Sequence, residues 1–137
     1  ISQNLMPKNF EQLGLIETLK ENFITLNHSG KIAFEFVFQV ENPIDRGIEI
    51  TIYRIVNELV NNIVRHSFAS KATIQILSFT DRISIMAEDN GIGFNPDVDK
   101  KGLGIQNILS RVNYLNGKIQ IDSNQNGTTT TIDIPLK

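Results

Sequence analysis

The chain has no cysteine, so disulfides, thiolate metal sites and cysteine nucleophiles are excluded, and the composition fits a reducing compartment. It has two histidines, His28 and His66, far apart in sequence, which argues against a histidine-rich metal site. No apolar run approaches the ~20 residues a membrane helix needs, and no signal-peptide pattern is visible. Charge of one sign is not in excess: 13 basic against 15 acidic residues leave a net charge of −2, and bulk electrostatics does not point to nucleic acid. Neither G-x-x-x-x-G-K-[ST] nor G-x-G-x-x-G occurs, which excludes a P-loop and a dinucleotide fingerprint. The first residue is Ile1, and the expectation is a fragment of a longer protein, whose membrane topology these residues leave open.

What is present suits one globular domain. The 137 residues are 40% hydrophobic and 20% charged, ordinary values for a chain that buries a real core. Pro7 interrupts the N-terminus, and residues 9–26 then repeat apolar residues at helical spacing (Phe10, Leu13, Ile16, Leu19, Phe23). Residues 32–40 alternate, predicting a strand with Ile32, Phe34, Phe36, Phe38 and Val40 on a buried face. Asp45 is placed to cap a helix over 46–68, with an apolar stripe of Ile48, Ile52, Ile55, Val56, Leu59, Ile63 and Val64. Residues 72–79 and 82–88 read as a hairpin, 90–103 as a loop long enough to be a lid, and 104–116 as a helix stopped by Asn116-Gly117. Residues 118–123 and 127–136 give two more strands around an NQNG turn. The fold class expected from α-β-α-β-β-lid-α-β-β is α+β, a mixed, mainly antiparallel sheet covered on one face by helices.

Three clusters of polar and glycine residues break this pattern. On the second helix Glu58 and Asn62 are four apart and Arg65 three further on, so they share one face beside the apolar stripe, flanked by Asn61 and His66. Two readings are open: a solvated face with i,i+4 pairs, or Asn62 offering oxygen to Mg²⁺ with Glu58 as a base. Asp89 follows buried apolar strand residues, so its carboxylate needs a partner. In DNGIGF (89–94) that partner is either an ordinary turn or an adenine amine, with Gly91 and Gly93 letting a flat base approach the backbone. Lys101, Gly102, Leu103 and Gly104 open a helix, where backbone N–H groups and the dipole favour phosphate; a flexible, solvated loop is the other reading. His28 reads as a loop histidine. Thr128 begins a threonine run suited to a strand, and its hydroxyl is carried as a candidate near the base.

The ordered set resembles the catalytic, ATP-binding domain of a two-component sensor histidine kinase, in the branch that includes nitrate sensors and a membrane-fluidity thermosensor. ELVNNIVRH (58–66) is similar to the asparagine box, DNGIGF to the first glycine box and KGLG to the second, and the run from Arg111 to Leu136 is similar to the family's end. The resemblance covers roughly residues 48–137, and residues 1–19 resemble the end of a dimerisation helix and the segment after it. It implies a Bergerat-type two-layer α/β sandwich with an ATP lid, shared with gyrase, Hsp90 and MutL, divided as 1–26, dimerisation-helix end and linker helix, and 27–137, the ATP-binding catalytic domain.

The implied function is transfer of the γ-phosphate of ATP-Mg²⁺ to a histidine on an upstream dimerisation domain, within a phosphorelay. Glu58 would be the catalytic base, Asn62 the Mg²⁺ ligand, and Arg65 and His66 would face phosphate. Asp89 would bind the adenine amine, Gly91 and Gly93 would shape its pocket, and Gly102 and Gly104 would hinge the lid. Implied partners are ATP, the phosphoacceptor histidine, a response regulator and a second copy in a full-length homodimer, with no nucleic acid. The implied setting is bacterial and cytoplasmic, in a parent that can be anchored in the inner membrane. Departures from the family are Ser110 in place of a glutamate, Asn116 in place of the first of two glycines, and a short lid. The alternatives are a related ATPase or serine kinase of the same superfamily, and a non-catalytic domain that binds ATP or a partner.

Overall fold

The computed structural model describes residues 10–94 and 104–136. Its elements are helix α1 (Phe10–Ser29), strand β1 (Ala33–Val40), helix α2 (Arg46–Asn62) continued by a π-helical turn (Ile63–Ser67), strands β2 (Lys71–Ser78) and β3 (Arg82–Asp89), helix α3 (Ile105–Tyr114), and strands β4 (Lys118–Asn124) and β5 (Gly127–Pro135). The strands form one sheet in the order β1-β2-β3-β5-β4. β1 runs parallel to β2, and the other pairings are antiparallel. The fold is therefore the expected α+β one. Among the described residues no helix is long and apolar enough to cross a membrane.

Strict alternation makes this a one-sided sheet. Ile74 and Ile76 of β2, Ile83 and Ile85 of β3, and Ile132 and Ile134 of β5 are all 0–1% exposed. They meet Ile52, Ile55, Val56 and Leu59 of α2 and Ile108 and Val112 of α3 in a single core. Each such side chain contributes roughly 1.5–3 kcal/mol by leaving water. The Asp45 cap forms as expected, its carboxylate accepting from Gly47 N–H at 3.0 Å. So does the Asn116 stop. Asn116 sits at φ 59°, Gly117 N–H reaches Val112 O and Asn116 N–H reaches Asn113 O, both at 2.9 Å, the two bonds of a Schellman ending.

Three expectations are corrected. The 9–26 helix is not one period, because Gly14 at φ 78° breaks it. The buried row after the break is Leu15, Leu19 and Phe23, with Leu13 and Ile16 only partly covered. The first turn of α2 spans the break: Arg46 donates to the carbonyls of Phe10 and Glu11 at 3.1 Å, and Glu49 accepts from Leu15 N–H at 3.4 Å. The helix ends orphaned at Gly14 thus find partners on another helix. On β1 only Phe34 is buried, while Phe38 and Val40 are 38% and 37% exposed, because β1 is an edge strand with a neighbour on one side only. Val64, at the end of the predicted stripe, is 50% exposed, where α geometry has given way to the π turn.

Candidate functional site

Residues of the first two clusters converge on one cleft between α2, the end of the sheet and α3, and Gly104 of the third stands next to Glu58 and Asn62. Helix α2 and its π turn supply Leu59, Asn62, Ile63, His66 and Ser67 along one wall. Strands β3 and β5 supply Ala87, Asp89, Thr128 and Thr130, Gly93 and Phe94 follow β3, and Ile105 and Ile108 of α3 and Ile119 and Ile121 of β4 complete an apolar lining. Asn62, His66, Asp89, Gly93 and Thr128 are thus brought together. Arg65 is exposed and lies outside the lining. Glu58 is half-buried one turn before Asn62, and the two meet the start of α3: a Cβ at Gly104 would lie 2.5 Å from Glu58 Oε2 and 3.7 Å from Asn62 Oδ1. Lys101, Gly102 and Leu103 lie outside the described residues.

Asp89 ends the central strand and is 9% exposed. Its Oδ1 accepts from Gly91 N–H at 2.8 Å. Burial pushes its carboxyl above the ordinary value, and the nearby Glu88 charge adds to this. Backbone hydrogen bonds from Gly91 and Thr128 pull the other way without cancelling it. The carboxyl is an acceptor that the protein has only partly satisfied, in a slot with apolar walls. Such a slot suits a flat heteroaromatic ring with an N–H edge. Beside it the hydroxyls of Ser123 and Thr128 share a 2.7 Å hydrogen bond, and Ser123 Oγ accepts from Phe94 N–H at 2.8 Å, which ties the chain after β3 to β4 and β5.

The glycines after Asp89 have a reason that their sequence does not reveal. A Cβ at Gly91 would collide with the carbonyl of Ser67, and one at Gly93, where φ is 77°, with the carbonyl of Asn124. Both positions are fixed by close approach of the protein's own backbone, which excludes any side chain whether or not a base is present. Asn90 is structural too, its Oδ1 accepting from Ser70 N–H at 2.8 Å and Lys71 N–H at 3.0 Å.

Sequence reasoning missed Ser67, Ala87, Thr130, Ile119 and Ile121 as lining residues. Alternation marks the strand residues only as core, and nothing in the string tells which core residues border a cleft. Ser67 carried one signal, a small polar residue at a helix end.

At the other end of the cleft, an amide oxygen and a carboxylate adjoin the N-terminus of α3. That combination can take a polyanion and a hard cation, the first through the backbone N–H groups of a helix start, the second through oxygen. The cleft therefore has a base-like end and a charge-handling end.

Comparisons with known proteins agree with this geometry. The model of the histidine kinase-, DNA gyrase B- and HSP90-like ATPase family matches residues 47–137. The chain is 30% identical over 139 residues to the signal transduction histidine-protein kinase/phosphatase DegS of Bacillus subtilis, covering 95% of this chain and 36% of that protein. It is 33% identical over 130 residues to DegS of Brevibacillus brevis, covering 92% and 33%. The chain thus spans about a third of these curated relatives. In fold it is similar to the histidine kinase AdeS of Acinetobacter baumannii, with TM-score 0.71, 23% identity and coverage of 90% and 64%. It is also similar to a blue-light activated histidine kinase of Erythrobacter litoralis EL346, with TM-score 0.69, 24% identity and coverage of 89% and 42%. The chain belongs to the family of histidine kinase-, DNA gyrase B- and HSP90-like ATPases.

Proposed function

We propose that this chain is the catalytic domain of a sensor kinase, binding ATP with Mg²⁺ and passing its γ-phosphate to a histidine on a dimerisation helix. Family membership makes ATP the nucleotide. The observation that carries the reading is Asp89, a buried carboxylate at the end of the central strand, facing a cleft that also holds Asn62 and His66. A carboxylate there accepts the adenine amine and rejects a base that presents a carbonyl.

Position supports the remaining roles. The amide oxygen of Asn62 stands beside Gly104, the residue that precedes α3, which suits it to phosphate held at that helix N-terminus. Among the described residues no three histidine, cysteine or acidic side chains form a cluster for a metal. The donor set fits Mg²⁺ all the same, because that ion commonly takes one or two protein oxygens and completes its shell with water and phosphate. When bound, it supplies charge neutralisation on the phosphates. Glu58, one turn from Asn62, is the base that accepts the proton of the incoming imidazole, and positioning supplies most of the rest. His66 lines the cleft on the phosphate side. Arg65, Lys101, Gly102 and Gly104 are assigned to the phosphates and the lid, Gly91 and Gly93 to the base pocket, and Thr128 to the base.

For the parent protein we propose a bacterial homodimer with its kinase domain in the cytoplasm, membrane-anchored or not, feeding a response regulator. The segment ahead of α1 would come from the dimerisation helix, with α1 as the linker. The test joins the chain to a dimerisation helix bearing the phosphoacceptor and incubates it with labelled ATP. Acid-labile, base-stable phosphate is expected. Acid-stable phosphate would move the chain to the serine kinases of its superfamily, and nucleotide binding with no phosphate transfer to a regulatory role.

A further inference from the structure

The two sides of the cleft are joined by a seam that no ligand is needed to explain. The chain leaving α2 (residues 67–71) and the chain leaving β3 (residues 89–92) run side by side. Ile92 N–H donates to Ser67 O at 2.8 Å, Asn90 N–H to Lys71 O at 3.2 Å, and Ser70 N–H to Asn90 Oδ1 at 2.8 Å. Of the seam residues, Ser67 and Asp89 line the cleft.

Ser67 carries more of this seam than its size suggests. Its Oγ donates to Ile63 O at 2.6 Å and accepts from Ala69 N–H at 3.0 Å. It is 8% exposed, so these bonds form out of water. Together they close the π-helical turn Ile63–Ser67 and lead into Phe68, which turns the chain at φ 55°. π turns inside helices are frequent at functional sites. Here the turn aims the Ser67 carbonyl at the glycine loop, so close that a Cβ at Gly91 would overlap it. The Gly91 N–H in turn fixes Asp89 Oδ1. A continuous set of contacts thus runs from Ile63, beside Asn62 and His66, through Ser67, whose carbonyl accepts from Ile92 N–H and closes on Gly91, to Asp89.

We propose that Ser67 is a positioning residue for nucleotide binding. Its hydroxyl sets the spacing between the base end of the cleft, at Asp89, and the charge-handling end, at Asn62. The inference rests on the nucleotide reading above and adds how the two ends are held in register. A ligand that spans both ends feels this spacing, whereas a ligand that fills one end does not.

The test compares ATP-Mg²⁺ with adenosine, by calorimetry and by NMR titration, on the 137-residue chain. Ser67→Ala is expected to weaken ATP ~10-fold, the scale of one or two lost hydrogen bonds, with adenosine affinity unchanged within about twofold. The pair Ser67→Thr and Ser67→Val keeps the branched shape constant and removes only the hydroxyl. Thr is expected to bind ATP ~10-fold tighter than Val, and both to bind adenosine alike. This pair decides the matter even if Ser67→Ala does not fold. Equal ATP affinity for Thr and Val overturns the proposal, as does a loss of ATP and adenosine affinity in equal proportion, which marks a merely structural serine. A wild-type chain that binds neither ligand fails the nucleotide reading itself, a result distinct from either.

Discussion

Replacing Asp89 by asparagine separates stability from binding, and the two effects are expected to have opposite signs. In the unliganded protein the buried carboxylate is a burden, since burial raises its pKa and the two backbone donors offset only part of this. A raised folded-state pKa means that stability is fully present below the ordinary value of 3.8 and is lost as pH rises through the folded value. Asp89→Asn removes that loss and keeps an oxygen for the 2.8 Å bond from Gly91 N–H. The variant is therefore expected to be no less stable than wild type at neutral pH, and the difference in its favour should widen as pH is raised from about 3.8 through the folded-state pKa.

Binding moves the other way. With its oxygen held by Gly91, the asparagine turns its NH₂ toward the adenine amine, donor against donor. Loss of a hydrogen bond to a charged group is about 1.5–3 kcal/mol, or roughly 10- to 150-fold in affinity. Calorimetry with ADP-Mg²⁺ reads the binding, and urea melts across the pH range read the stability. An affinity within twofold of wild type would remove Asp89 from the base. A variant destabilised at neutral pH would show that the carboxylate is a net support of the fold, contrary to its raised pKa.

Other perturbations have defined outcomes. Glu58→Gln in a protein joined to its phosphoacceptor helix should slow phosphorylation ~10²–10⁴-fold with ATP affinity intact; an unchanged rate, read by labelled phosphate, removes Glu58 as the base. Gly91→Ala forces a methyl into the Ser67 carbonyl and should cost about 1–3 kcal/mol in a urea melt; a silent substitution would contradict the seam. Asn116→Ala, at φ 59°, should cost about 1–2 kcal/mol, whereas Asn116→Gly should be nearly neutral; equal melts for the two would refute the left-handed stop.

Much of the fold is legible in the string because period and punctuation agree. Isoleucines at every second position specify β2, β3 and the end of β5, and Asp45 and Asn116-Gly117 bracket helices through hydrogen bonds local in sequence. What stays hidden depends on distant neighbours. Alternation in β1 cannot reveal that it pairs parallel to β2 at a sheet edge, leaving Phe38 and Val40 half-covered. The break at Gly14 is masked because apolar residues continue through it, and its stabilising partners, Arg46 and Glu49, come from another helix. At the candidate site, the polar row on α2 and Asp89 stand out as chemistry against a regular background. Ser67 does not, since two of its three hydrogen bonds are local ones of a helix end and only the third, from Ile92 N–H, joins segments far apart in sequence.

The Arg46–Glu49 contacts with the Gly14 break have a mechanical consequence. The two residues lie 3.6 Å apart as an ion pair and grip the chain on both sides of the break. A twist applied at Phe10 is met first by these two side chains, because the glycine between them offers little torsional stiffness of its own. From there α2 is unbroken to Asn62, a rod of roughly 24 Å at 1.5 Å per residue. Its far end bears on the cleft wall, so the incoming chain and the candidate site share one lever whose fulcrum is the first turn of α2.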